Sequence, residues 1–203
     1  MRVLVLYERS GVVREAFRAK GHEAWSCDIV AASDGSEWHI QVNIDNAIRG
    51  RRFDDFDLAI AHPECTHLSV SGALRFKEKI ADGRQQQAIN AFMRITELNI
   101  PKLCIENPIS IMSTRWRKPD QIVQPYQFGH DASKKTCLWL RGLPKLTIDP
   151  TKYVAPRMID GKPRWANQTD GGQNRLGPSE HRAMDRARTY EGIAAAMAER
   201  WSA

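Results

Sequence analysis

Cys65 and Glu106 are the residues best placed to do chemistry, because each follows a short apolar run. Asp57-Leu-Ala-Ile-Ala61 leads into His62-Pro63-Glu64-Cys65-Thr66, and Lys102-Leu-Cys-Ile105 leads into Glu106-Asn107-Pro108. Continuous apolar runs of this length read as buried strands of a parallel sheet. In open α/β sheets, ligands gather in the crevice beyond the carboxyl ends of the strands. A thiolate there is a soft nucleophile. A partly desolvated carboxyl beside it is suited to donate or share a proton with a ring nitrogen. Together they would do covalent chemistry on an electron-poor ring. Glu64 should raise the pKa of its neighbour Cys65, and His62 could offset that. Taken one at a time, an inert loop cysteine and a structural glutamate remain open readings.

The elements that must position these residues follow from hydrophobic periodicity. Residues 2–7 read as a central strand, followed by a turn at Gly11 and a helix over 12–20 that Gly21 stops. Residues 22–28 form a second strand ending in Asp28. A polar loop runs to residue 39, then come a weak strand and a short helix around 45–49. A loop of small polar residues follows at 66–72. The strongest helix covers 83–99, with Ala88, Phe92, Ile95 and Leu98 along one face. Thr136-Cys-Leu-Trp-Leu140 is a further buried strand. The segment 141–174 changes character, with prolines, glycines, basic residues and little periodicity. The end returns to helix, with Ser179 as its cap and Ile193, Met197 and Trp201 on one stripe. Strand–helix alternation through the first half predicts an α/β fold with a doubly wound, mostly parallel sheet.

The 203 residues suit one domain with a real core, and 42% of them are hydrophobic, which excludes a disordered chain. No apolar run approaches the roughly 20 residues that span a bilayer. Met1–Tyr7 meets charge at once in Glu8 and Arg9, unlike a signal peptide, so a cytoplasmic protein is expected. The four cysteines form no Cys-x-x-Cys pair, so neither a metal site nor a disulfide framework is expected. A net charge of +6 favours a polyanionic partner. Gly11 in the first turn and Asp28 about twenty residues on are where nucleotide-binding sheets meet phosphate and ribose, but Gly-x-Gly-x-x-Gly is absent, which disfavours a dinucleotide.

The order of these motifs resembles the DNA (cytosine-5) methyltransferases, in the short form found in phages and prophages. Ser10-Gly11-Val-Val-Arg-Glu-Ala-Phe17 is similar to the family's first motif, and Asp28 falls at its ribose-binding acid. His62-Pro63-Glu64-Cys65 resembles the Pro-Cys nucleophile loop, and Ile105-Glu106-Asn107-Pro108 the Glu-Asn-Val motif. Ser133-Lys134-Lys135-Thr136 resembles the basic run before a strand. Arg175-Leu-Gly-Pro-Ser-Glu180 and Tyr190-Glu-Gly-Ile-Ala194 resemble the last two motifs. The sequence departs from the family pattern at Tyr7 and Arg9 in the first motif. Asn43 stands where an acid would hold the adenine, Glu64 and Thr66 flank the nucleophile, Lys134 and Lys135 replace arginines, and Ile193 replaces an asparagine.

The resemblance implies a Rossmann-like fold that binds S-adenosylmethionine and DNA. Residues 1–140 would be the catalytic core, 141–174 a reduced target-recognition segment, and 175–203 helices completing the core. Cys65 would add to the cytosine ring while Glu106 stabilises the ring nitrogen, on a base flipped from the duplex or in single-stranded DNA. Tyr7, Ser10, Gly11, Val12, Asp28, Ile29, Asn43 and His62 would line the cofactor pocket. Ser71, Arg75, Lys134, Lys135, Arg157, Arg164, Trp165 and Arg175 would meet DNA, with Trp165 as a stacking or wedging aromatic. Two alternatives stand beside this: a non-catalytic or altered-donor DNA-binding relative, and an amino-methyltransferase acting on adenine or the cytosine amine.

Overall fold

The protein is seen in a computed structural model that describes residues 1–177 and 188–202. Its centre is β1 (Arg2–Leu6), flanked by β4 (Leu58–Ala61) and β2 (Glu23–Asp28). These strands are near-continuous apolar runs because both faces are covered. Val3 to Leu6 and Leu58 to Ala61 are fully buried. Alternation along the strands sorts the core into two layers. Leu4, Leu6, Ala59, Ala61, Leu103 and Ile105 face the side of α2 (Ile44–Arg49) and α4 (Arg84–Ile95). Val3, Val5, Leu58, Ile60 and Cys104 face α1 (Val12–Arg18) and the C-terminal helix Glu191–Trp201, here α6.

With β3 (His39–Gln41), β5 (Lys102–Pro108), β6 (Gln121–Val123) and β7 (Thr136–Arg141), the sheet runs in the order β3-β2-β1-β4-β5-β7-β6. Neighbours from β3 through β5 are parallel, and β7 alone is reversed, antiparallel to both β5 and β6. This is a doubly wound, mostly parallel α/β sheet. The winding reverses between β1 and β4, and the crevice at such a switch point is where ligands bind.

Several details differ from expectation. The helix foreseen over 83–99 stops at Ile95, where the Thr96 hydroxyl donates to the Met93 carbonyl (2.6 Å) and competes with the helical ladder. Strand β6, three residues long, carries too little pattern to be read from sequence. Within 141–174 the chain forms a hairpin, β8 (Arg157–Ile159) with β9 (Lys162–Arg164). Two further short helices are α3 (Phe76–Ala81) and α5 (Met112–Arg115). The expected cap at Ser179 lies outside the described residues. Among the described residues no helix is long and apolar enough to cross a membrane.

Helix α6 returns to the core and packs on α1 through Ile193, Met197 and Trp201, all buried. Gly192 lets it seat. Its amide donates to Nε2 of His130 (2.8 Å), and a Cβ there would overlap the Phe128 carbonyl. Gly192→Ala should therefore lower the unfolding free energy by about 1–3 kcal/mol in urea titration. Gly177→Ala, where a Cβ meets nothing within 4 Å, should change it by less than about 0.5 kcal/mol.

Candidate active site

Parallel register brings the chemistry together. Leu6 pairs with Ala61, and Ala61 with Ile105, so the next residues in line are Tyr7 and His62, just past β1 and β4, and Glu106, inside β5, which runs on to Pro108. The His62 amide still follows the ladder, donating to the Leu6 carbonyl (3.0 Å). Nδ1 of His62 lies 2.7 Å from Oε2 of Glu106, with the two side chains only 10% and 9% exposed. Burial works to raise the Glu106 carboxyl. The His62 hydrogen bond and charge, with Lys134 behind them, nevertheless bring it below the usual carboxylate range. The desolvated Glu106 is thus paired with His62, whose hydrogen bond and charge oppose its burial.

The Cys65 loop is tied to the same strand. Nδ2 of Asn107, in β5, donates to the Pro63 carbonyl (2.8 Å) from a fully enclosed position. The Cys65 carbonyl accepts from Leu68 N (3.0 Å) and Ser69 N (2.9 Å), a tight turn that leaves Cys65 half-exposed. Lys79 of α3 is buried and donates to the Thr66 carbonyl (2.6 Å). The other three cysteines are buried, and burial pushes their thiols up: Cys27 to about 12, Cys137 to about 11, and Cys104 well above its ordinary value. None of those three presents a thiolate near neutral pH. Cys65 is the one cysteine among the described residues that is not buried.

Toward β1 and β2 stand the residues expected to meet a cofactor. Tyr7 takes a left-handed backbone (φ 59°), which bends the chain out of the strand. The Glu8 carboxylate accepts from the amides of Val13 (2.7 Å) and Arg14 (3.2 Å), so it fills the helix N-terminus where a phosphate would otherwise bind. Ser10 Oγ is near the Val12 amide (3.5 Å). Gly11 turns at φ 71°, and a Cβ there would overlap the Arg14 guanidinium. Asp28 is half-exposed at the end of β2, with Oδ1 on the Val30 amide (3.0 Å). Ile29 and Val30 beside it are 62% and 43% exposed, an apolar lip next to a carboxylate. Asn43, expected among the cofactor contacts, caps α2, its Oδ1 accepting from the Asn46 amide (3.0 Å). His62, expected among the cofactor contacts, turns its Nδ1 to Glu106.

On the side expected to meet DNA, Ser71, Arg75 and Lys135 are exposed, and Lys134 is half-buried. Trp165 is not a wedge. It is buried and stacked on Tyr126 (4.1 Å between ring centroids, 8° between planes), with Nε1 donating to the Val154 carbonyl (3.0 Å). Arg157 binds the Gln168 carbonyl (2.7 Å) and Asp170 (2.9 Å). Arg164 binds the Asp170 carbonyl (2.9 Å), and Arg175 the Gln168 carbonyl (2.8 Å). These guanidiniums fold their own loop rather than stand free. Sequence reasoning missed Glu8, Lys79 and the Asn107–Pro63 bond. Only Asn107 left a signal, as the residue after the acid. Among the described residues, no group of three or more metal-ligating side chains occurs.

No protein-family model matches this chain, and no curated protein does. Thirty-one solved chains resemble it. One is an E. coli protein provisionally described as a DNA modification methyltransferase encoded within a prophage. It is 17% identical over 74% of this chain and 49% of its own length, with a TM-score of 0.49. This chain thus spans about half of that protein.

The Asn107–Pro63 bond can be checked directly. Asn107→Asp replaces the donor with a buried acceptor facing a carbonyl. The variant should lose about 1–3 kcal/mol of stability at neutral pH, read by urea denaturation, and recover part of it in acid as the new carboxyl takes up a proton.

Proposed function

We propose that this chain transfers a methyl group from S-adenosylmethionine to carbon 5 of cytosine in DNA through a covalent cysteine adduct. One observation carries the reading: the loop that follows β4 and holds the half-exposed Cys65 is tied, through the Asn107–Pro63 bond, to β5, the strand that holds the buried Glu106.

The residues toward β1 and β2 fit the donor. Asp28 would hold ribose hydroxyls, and Ile29 and Val30 offer the apolar surface that an adenine ring would cover. Glu8 at the α1 N-terminus disfavours a pyrophosphate, whereas S-adenosylmethionine carries positive charge at sulfur and nitrogen. When bound, that cofactor supplies an electrophilic methyl group. The rest of the work falls to the protein. Cys65 Sγ adds to carbon 6, and Glu106 bonds the ring nitrogen as charge builds there. Carbon 5 then becomes nucleophilic and takes the methyl. Its proton passes to solvent, the bond from carbon 6 to Sγ breaks, and the thiolate is restored. The +6 net charge, with Arg75 and Lys135 exposed, supports a polyanionic substrate. A thiol at Cys65, where an amine-methylating enzyme needs a stacking aromatic, favours carbon over nitrogen as the target.

Mass spectrometry of nucleosides from cytosine-containing DNA, incubated with the protein and S-adenosylmethionine, tests this. The native chain should give 5-methyldeoxycytidine, Cys65→Ala none, and Glu106→Gln about 10²–10⁴-fold less. A methylated exocyclic amine would overturn the carbon-5 reading. DNA binding without any product would leave the chain a binding protein.

A further inference from the structure

We infer that His62 supplies, through Glu106, the proton that the cytosine ring nitrogen takes up when Cys65 adds; the inference rests on the carbon-5 reading. Adding a thiolate to carbon 6 places negative charge in the ring, and that charge is relieved by a proton at the nitrogen. Glu106 is the group in position to deliver it. Its carboxyl, however, is held ionised by His62 and Lys134, so the proton must come from a neighbour. His62 is that neighbour, 2.7 Å away, in a pair almost wholly closed to water. It acts as a positioning residue, since it reaches the substrate only through Glu106.

The proton balance closes. As the Sγ–carbon 6 bond forms, His62 in its doubly protonated form passes the Nδ1 proton to Oε2 of Glu106 and is left neutral, and the carboxyl so formed turns and passes that same proton to the ring nitrogen. When the Sγ–carbon 6 bond breaks, the nitrogen returns its proton to Glu106 and thence to His62. The pair is restored, and no oxidant or further reactant is needed.

The surroundings suit a shared proton. Glu106 faces His62 from β5, and Glu8 bears on it electrostatically from the end of β1. Lys134, before β7, acts on Glu106 from the other side. Nε2 of His62 is buried and has no hydrogen-bond partner among the described residues. The ring is therefore held by a single bond, through the nitrogen that faces Glu106. A purely structural histidine would be anchored at both ends, as His39 is by Ser26 and the Val30 carbonyl.

His62→Asn separates the roles, because its amide can still donate to Glu106 but carries no titrating proton. Single-turnover methylation of one DNA substrate should fall about 100-fold at neutral pH and recover toward pH 5–6, as Glu106 itself takes up a proton. Affinities for DNA and S-adenosylmethionine should stay unchanged. A native rate and pH profile in His62→Asn would overturn the inference, leaving His62 a mere hydrogen-bond donor. A second arm needs no turnover: carboxyl-carbon NMR of Glu106 in the full chain. Its titration should lie below the ordinary glutamate range in the native protein and move upward in His62→Ala, where only Lys134 is left to oppose burial. An unmoved titration would overturn the pair. If the native chain forms no 5-methyldeoxycytidine, the carbon-5 reading falls, and with it the proton's destination, whereas the NMR result still reports whether the pair exists.

Discussion

The parallel register between β4 and β5 is the constraint on which the candidate site depends. Pairing Ala61 with Ile105 leaves His62 and Glu106 as the next residues on each strand, on one face and within hydrogen-bonding reach. Shifting either strand by one residue would turn one of them to the opposite face. The register is in turn held by burial, because Leu58 to Ala61 and Leu103 to Ile105 fill two different core layers in alternation. The same apolar packing that stabilises the sheet thus fixes the geometry of its polar end. Asn107 extends this control by one residue, carrying the position of β5 to the loop that holds Cys65.

A second polar arrangement governs the other half of the crevice. Arg14 is fully buried, yet its guanidinium is satisfied by Asp34, Glu15 and Ser26. Ser26 in turn meets His39 of β3, and His39 meets the Val30 carbonyl. Removing one member of such a network leaves the others unpaired in low dielectric, which costs more than the net worth of the bonds. The network joins α1, β2, the loop after β2 and β3. It therefore holds the Asp28–Val30 lip at a set distance from the Gly11 turn, two features that composition alone would leave independent.

How much of this was legible in the sequence depends on the range of the interaction. The central strands were legible because burial on both faces demands unbroken apolar runs, and α6 because Ile193, Met197 and Trp201 repeat at helical spacing. Cys65 and Glu106 were legible as a thiol and a carboxyl that follow those runs. The His62–Glu106 pair was not, because it joins positions 44 apart and needs the strand order as well as the strands. Nor was the ionised state of Glu106: burial alone points one way, and only the facing imidazole reverses it. Trp165 misled for a related reason. A tryptophan among basic residues reads as a nucleic-acid contact until its partner, Tyr126, is found across the chain.

The basic segment 141–174 gains a different meaning from this. Of its arginines, Arg157 is matched by the acid Asp170, whereas Arg164 bonds backbone carbonyls. Arg175, just beyond, also bonds a carbonyl. A carbonyl fixes a guanidinium without neutralising it, so the positive charge survives while the side chain loses its freedom. Such a loop is poorly suited to adapt to a phosphate backbone one contact at a time. It suits a fixed positive field, whose reach is set by ionic strength rather than by side-chain motion. Under the proposed function, discrimination between bases would then rest on groups nearer the strand ends, where Ser71, Arg75 and Lys134 stand close in sequence to Cys65 and the β5–β7 edge.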